Sequence, residues 1–140
     1  MEFLSEKPGL NNSYYNDELR YKLYPEIIFV FGSNLAGRHG RGAAATAHKS
    51  YGAIYGIGTG LMEQSYAIPT KNVYIQTLPL SVIEVYIKQF VRFTHLTELD
   101  FFVTAVGTGL AGYQHYEIAH MFEGVRNCWL PHSWKQYLEN

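Results

Sequence analysis

Between Phe31 and Ala44 the chain reads FGSNLAGRHGRGAA, which holds four glycines, two arginines, a histidine and an asparagine. These residue types suit an anionic ligand. Glycine lets a backbone turn its N–H groups toward one point and lets a ligand approach closely. Arg38 and Arg41 carry planar guanidinium forks that match phosphate in two-point fashion. His39 can polarise a phosphate or ribose hydroxyl, or exchange a proton near neutral pH. A second glycine-rich stretch, GTGLAGY, covers residues 107–113. Each stretch follows a short apolar run, IIFV at 27–30 and DFFVTAV at 100–106, and each precedes a segment of helical character. That is where ligands bind in open α/β sheets, at the carboxyl ends of the strands. A helix start there adds free N–H donors and about half a positive charge.

Neither stretch is a standard nucleotide motif. The pattern G-x-x-x-x-G-K-[ST] is absent, because Lys49 and Ser50 lie beyond the alanines with no glycines at the required spacing. Gly37, Gly40 and Gly42 give G-x-x-G-x-G rather than G-x-G-x-x-G. The remaining histidines do not form a metal set: His115 and His120 are five apart, off the four-residue spacing that puts two ligands on one helix face. Cys128 beside Trp129 reads as packed core rather than nucleophile, and the alternative for the other histidines is ordinary surface chemistry.

The elements that must hold these residues follow from periodicity. Residues 26–31 read as a buried strand bounded by Pro25 and Gly32. Ala43 to Tyr51 is alanine-rich and predicts a helix, with Gly52 as its stop. Short strands are expected near 65–68 and 73–76. From Ser81 a helix is expected, with Ser81 and Glu84 as a capping box and Val82, Val85, Tyr86, Gln89, Phe90 and Phe93 on one face. DFFVTAV predicts a second buried strand. A helix over 115–126 would bury Ile118, Met121, Phe122 and Val125, and CWLP from Cys128 suits a last strand. Residues 1–25 read as a polar lead-in. Strands alternating with helices predict one α/β domain over 1–140 with a mixed, mostly parallel central sheet. Thr70 and Lys71, at the end of QSYAIPTK, can reach the same ligand edge or simply end a strand, and GIGTG at 56–60 with Gln64 suggests a flap over the site.

Taken together, the two loops resemble those of the macrodomain family, the ADP-ribose-binding modules. The first loop of that family runs from an Asn after a strand to a His-Gly-Gly-Gly-type stretch and then to small residues opening a helix. Here Asn34 is followed, after four residues, by His39-Gly40-Arg41-Gly42-Ala43-Ala44. The second has a Gly-x-x-Gly turn between a strand and a helix, here Gly109-Leu110-Ala111-Gly112. The resemblance covers about residues 26–127 and implies a three-layer α/β/α fold. It implies that Asn34 contacts the distal ribose and orients the reacting bond, with His39 as its catalytic partner. Gly40 and Gly42 would lie along ribose and diphosphate, with Gly32, Ser33, Arg41 and Ala43 as further ligand-binding positions of the same loop. Gly109, Leu110, Ala111 and Gly112 would cup the diphosphate from the other side with backbone N–H groups, Gly107 and Thr108 would be further ligand-binding positions, and Tyr113 would replace the family's aromatic as a stacking surface. The implied ligand is ADP-ribose or an ADP-ribosylated protein, with hydrolysis of an ADP-ribosyl or ADP-ribose phosphate bond as the enzymatic version. The chain departs from the family pattern in four places: no Gly-Asp-Ile-type stretch supplies an acid for adenine, Arg41 replaces a glycine, Ala111 stands where an aromatic is often found inside the second turn, and Ala43 to Ala45 stand where some hydrolytic members have an aspartate.

Composition limits the alternatives. The 140 residues suit one core, and 47% hydrophobic with 16% charged residues argues against disorder. A net charge of -1 argues against general nucleic-acid binding. No apolar run approaches the roughly 20 residues that cross a bilayer. The acidic start without an apolar h-region and the single cysteine point to a cytosolic protein, and no cofactor or metal is implied. Two further readings stand beside the enzyme: a non-catalytic sensor or sequestering protein using the same pocket, and a structural or interaction protein whose glycines only shape turns.

Overall fold

The computed structural model describes residues 2–4 and 12–139. The stretch 1–12, read as lacking a signal peptide, lies largely outside the described residues. Six strands form one sheet: β2 (Ser13–Tyr15), β4 (Ile27–Asn34), β5 (Gly60–Met62), β6 (Ser65–Lys71), β7 (Asp100–Val103) and β8 (Cys128–Pro131), in the order β2-β8-β7-β4-β6-β5. All neighbours are parallel except β5 and β6. Two short segments, β1 (Glu2–Phe3) and β3 (Tyr21–Lys22), pair separately. The expected α/β class with a mixed, mostly parallel sheet is therefore present.

Strand alternation divides the core. Ile28 and Val30 of β4 join one hydrophobic cluster and Ile27, Phe29 and Phe31 the other; Phe101 and Val103 of β7 face the first, Phe102 the second. The first cluster holds Ile83, Ile87 and Phe90 of α2 (Leu80–Leu96), with Ile118 of α3 (His115–Ile118). The second holds Ala44 and Ala47 of α1 (Gly42–Ser50). Helices thus cover both faces. Small alanines let α1 sit close on strands already thick with phenylalanine.

Helix α1 ends as its glycine suggests. Gly52 has φ +77°, and the amides of Tyr51 and Ala53 both donate to the Ala47 carbonyl, at 2.9 and 3.1 Å. Several expectations need correction. Residues 73–76 are a turn, not a strand: the Asn72 side-chain oxygen accepts from the amides of Tyr74 and Gln76, and Ile75 adopts φ +63°. The Ser81–Glu84 capping box does not form, because Pro79 is the N-cap and Ser81 lies inside the helix. The buried face of α2 is Ile83, Ile87, Phe90 and Thr94, rotated by about one residue from the expected stripe; Val82, Val85 and Gln89 are exposed. The sheet takes the two isoleucines four apart, which leaves the valines outside.

The helix expected over 115–126 is a single α turn followed by a 3-10 turn, Ala119–Phe122, although Ile118, Met121, Phe122 and Val125 are all buried. Gly124, at φ +91°, turns the chain before β8. The strand from Asp100 stops at Val103, and the lead-in contributes an edge strand: Ser13–Tyr15 pairs with Trp129–Pro131. The Tyr15 hydroxyl donates to the Val103 carbonyl at 2.7 Å. Among the described residues no helix is long and apolar enough to cross a membrane.

Candidate functional site

Three parallel neighbours, β6, β4 and β7, end on the same edge of the sheet. Their carboxyl ends therefore bring Thr70 and Lys71, Gly32 to Asn34, and the segment from Thr104 onward side by side. From β4 the chain reaches β6 through α1 on one face, then crosses β4 to β7 through α2 on the other. That reversal leaves a crevice at the strand ends. A cavity of about 800 Å³ occupies it.

The two glycine loops share this cavity. Gly32, Ser33 and Asn34 line it, as do Arg38 and residues Gly40 to Ala44. The facing wall is Thr104 to Ala111, and Thr70, Lys71 and Ile75 complete it. The loops also lie close together: a Cβ on Gly32 would come within 3.6 Å of the Gly107 nitrogen, and one on Gly42 within 3.9 Å of Leu110 Cδ1. Of the residues assigned from sequence, Gly32, Ser33, Asn34, Gly40, Arg41, Gly42, Ala43, Gly107, Thr108, Gly109, Leu110 and Ala111 come together here. His39, Gly112 and Tyr113 do not line the cavity.

His39 points into the protein. It is 1% exposed, and its Nε2 lies 2.9 Å from the Ile54 carbonyl and 3.0 Å from the Ile57 carbonyl. Carbonyls only accept, so Nε2 carries the hydrogen and is shared between them. Phe31 and Tyr55 meet the ring edge-on at 5.5 and 5.6 Å. His39 therefore ties the first loop to residues 54–57, and it is not placed for proton transfer in the cleft. Its type and neighbours in the sequence are the same in either role; only the fold reveals which way the ring turns.

Asn34 lines the cleft but is heavily engaged. Its Nδ2 donates to the Arg38 carbonyl at 2.8 Å and its Oδ1 accepts from the Arg38 amide at 3.0 Å, closing a ring that shapes the loop. The segment 56–60 is not a flap. The Gly56 amide donates to the Gly37 carbonyl at 2.9 Å, and the Ser33 hydroxyl donates to the Gly58 carbonyl, so the segment backs the first loop. Gln64 donates to the carbonyls of Tyr24 and Ile27, at the opposite end of β4 from the cleft. Tyr113 anchors the second loop: its hydroxyl donates to the Leu78 carbonyl at 2.6 Å and its amide to the Gly107 carbonyl at 3.0 Å. It offers no stacking face to the cavity. Gly112, at φ +86°, closes the turn with its amide on the Gly109 carbonyl.

Three cations, Arg38, Arg41 and Lys71, line the cavity, and no Asp or Glu is among the described lining residues. Helix α1 opens at this wall with no side-chain cap and no acid in its first turn. Its first-turn amides are thus free to meet an anion. In the second loop the internal hydrogen bonds use the amides of Val106, Thr108, Gly112 and Tyr113, not those of Gly107, Gly109, Leu110 or Ala111. The arrangement is a wall of donors with a local positive charge in a protein of net charge -1.

Sequence reasoning did not single out Thr104, Ala105, Val106 or Ile75 as lining residues. The first three sit where the DFFVTAV stretch suggested that the strand continued. Ile75 reaches the cavity through the Asn72 turn.

Elsewhere, Cys128 is buried, and burial and then Asp100 push its thiol well above the ordinary value. His48 Nδ1 donates to the Ala53 carbonyl at 2.8 Å, and His115 Nδ1 accepts from the Trp134 indole at 2.9 Å. No group of three or more His, Cys, Asp or Glu that could hold a metal occurs among the described residues. What is defined is an α/β protein with a donor-lined crevice at the carboxyl edge of a mostly parallel sheet. No protein-family model, curated protein or solved structure matches this chain.

Proposed function

We propose that the protein is a macrodomain-like module that binds ADP-ribose or a related nucleotide diphosphate, free or attached to protein, in the crevice between the two glycine loops. One observation carries this reading: both loops and three cations line a single cavity with no carboxylate among its described lining residues. Fixed backbone amides suit an anionic linker because they are already aimed, and the exposed side chains of Arg38 and Arg41 add positive charge beside them. Helices on both faces of the sheet agree with a three-layer α/β/α arrangement. The cavity also lies within the 300–1,000 Å³ common for small-molecule sites.

Binding is better supported than hydrolysis. His39 is sequestered behind the loop, and Asn34 is committed to holding it closed. A module that reads or sequesters its ligand uses the crevice as it stands. Calorimetry with ADP-ribose, AMP and NAD at low salt tests the proposal. The expected result is saturable binding of ADP-ribose that weakens as salt rises, because exposed charge pairs are screened. Absence of binding at millimolar ADP-ribose sinks it. Release of product from ADP-ribosylated protein would restore the enzymatic version.

A further inference from the structure

Among the described residues, three other than glycine hold a left-handed backbone: Glu63 at φ +49°, Asn127 at φ +57° and Ile75 at φ +63°. Ile75 is the β-branched one, and for a branched side chain that conformation is a steric outlier. It is also the one of the three that lines the crevice. The turn imposes it. The Asn72 side-chain oxygen accepts from the amides of Tyr74 and Gln76, the Ile75 amide donates to the Asn72 carbonyl at 3.1 Å, and the Asn72 amide donates to the Gln76 carbonyl at 2.8 Å. Glycine is the usual residue at the left-handed position of such a turn.

Core packing does not account for the isoleucine: it belongs to neither hydrophobic cluster and is 36% exposed. Backbone strain of this kind is found at ligand clamps, where it fixes the position of a side chain. The Thr77 hydroxyl ties the end of the turn to the second loop through the Ala111 carbonyl, at 3.2 Å, and Leu110 beside it is an exposed aliphatic residue of the same cavity. Resting on the diphosphate reading above, the cations and backbone amides take the charged linker, to which an aliphatic side chain adds nothing. What Ile75 can hold is the carbon face of a ring, since that contact removes apolar surface of both from water. We infer that Ile75 is a specificity-determining residue that seats a ring group carried on the diphosphate, either the nucleoside or a sugar at the other end. The strained turn holds the side chain in the crevice in advance, so less ordering is required on binding.

Calorimetry of the intact chain and its Ile75→Gly variant with ADP-ribose, ADP and inorganic pyrophosphate tests this, beside thermal unfolding of both. Glycine suits the left-handed backbone, so the midpoint of the variant is expected within about 3 °C of the parent or above it. Its affinity for ADP-ribose is expected to fall roughly tenfold, with pyrophosphate unchanged. An equal loss for ADP puts the nucleoside on Ile75, and a loss confined to ADP-ribose puts the terminal sugar there. Ile75→Asn, which also tolerates the backbone but carries a polar tip, is expected to lose the same affinity. Unchanged affinity for all three probes in either variant, or an equal loss for pyrophosphate, overturns the inference and leaves the diphosphate reading standing. Failure of the parent chain to bind any of the three, pyrophosphate included, overturns the diphosphate reading and this inference with it.

Discussion

The two glycine loops look alike in sequence and are built differently. The first, 32–42, is braced from behind. A Cβ on Gly37 would overlap the backbone of Gly56 and Ile57, and one on Gly58 would overlap the Asn34 carbonyl. His39 and Ser33 add hydrogen bonds to the same backing segment. The turn of the second loop has room: a Cβ on Gly109 or Gly112 would meet nothing within 4 Å, while only Gly107 at its start is tight, against Ile118 at 3.0 Å. The first loop carries two of the cleft's three cations, while the second carries no charged residue. Flexible glycines thus serve close packing in one loop and open, amide-bearing surface in the other.

The largest test of this contrast is Gly58→Ala. Its methyl has no space beside the Asn34 carbonyl, so the loss of stability should reach about 3 kcal/mol, at the upper end for overpacking. Thermal unfolding should drop by roughly 10 °C. An unchanged midpoint would mean that the backing segment is not packed as described. Next comes His39→Phe, which leaves the Ile54 and Ile57 carbonyls without their shared donor. About 2 kcal/mol should be lost, and chemical denaturation measures it. If stability is intact while ligand binding disappears, His39 faces the ligand after all.

Arg41→Ala should do the reverse. Arg41 is exposed and caps no helix amide with its side chain, so stability should move by less than about 0.5 kcal/mol. ADP-ribose affinity should fall roughly tenfold, about 1.4 kcal/mol, with a shallower salt dependence in calorimetry. Equal binding by the variant would remove the charge from the recognition scheme.

Tyr15→Phe probes the strand that leads into the second loop. It removes the hydroxyl bond to Val103 and should cost about 1 kcal/mol near neutral pH. It should also change the alkaline limb. Burial, then Asp17 and Tyr21, raise the Tyr15 phenol far above its ordinary value of 10.0. The unfolded chain therefore loses this proton first as pH rises, so stability declines above about pH 10. The phenylalanine variant should decline less steeply there. Identical slopes in denaturant titrations at pH 9 and 10.5 would contradict this. The smallest effect is Gly109→Ala. Its methyl enters open space and φ is not left-handed, so stability should stay within about 0.5 kcal/mol. A large loss would show that the second loop is as tightly braced as the first.

The sequence was most legible where one local rule decided the outcome. The IIFV run after Pro25 is a buried strand, although it continues through Gly32 to Asn34 rather than stopping at the glycine. The alanines after Gly42 are a helix that stops at Gly52, and the two glycine stretches leave parallel strands before helices. It was least legible where two rules competed. Val73 and Ile75 have strand propensity, but Asn72 folds them into a turn. Ser81 has the right partner for a cap, but Pro79 ends the extended chain first. The lead-in looked polar, but Asn12 clasps β8 through Val125 and Cys128, and the next residues complete the sheet edge.

By itself the sequence determined the parts of the crevice: strand ends, glycines, Arg38 and Arg41, and a helix start with no acid in front of it. Those are properties of neighbouring residues, and short-range physics sets them. Only the tertiary structure decided that β6, β4 and β7 lie side by side, which merges the two loops with Lys71 into one cavity. Only it turned His39 inward onto two carbonyls. Strand order and side-chain direction depend on contacts between segments far apart in the chain, and no local pattern encodes them.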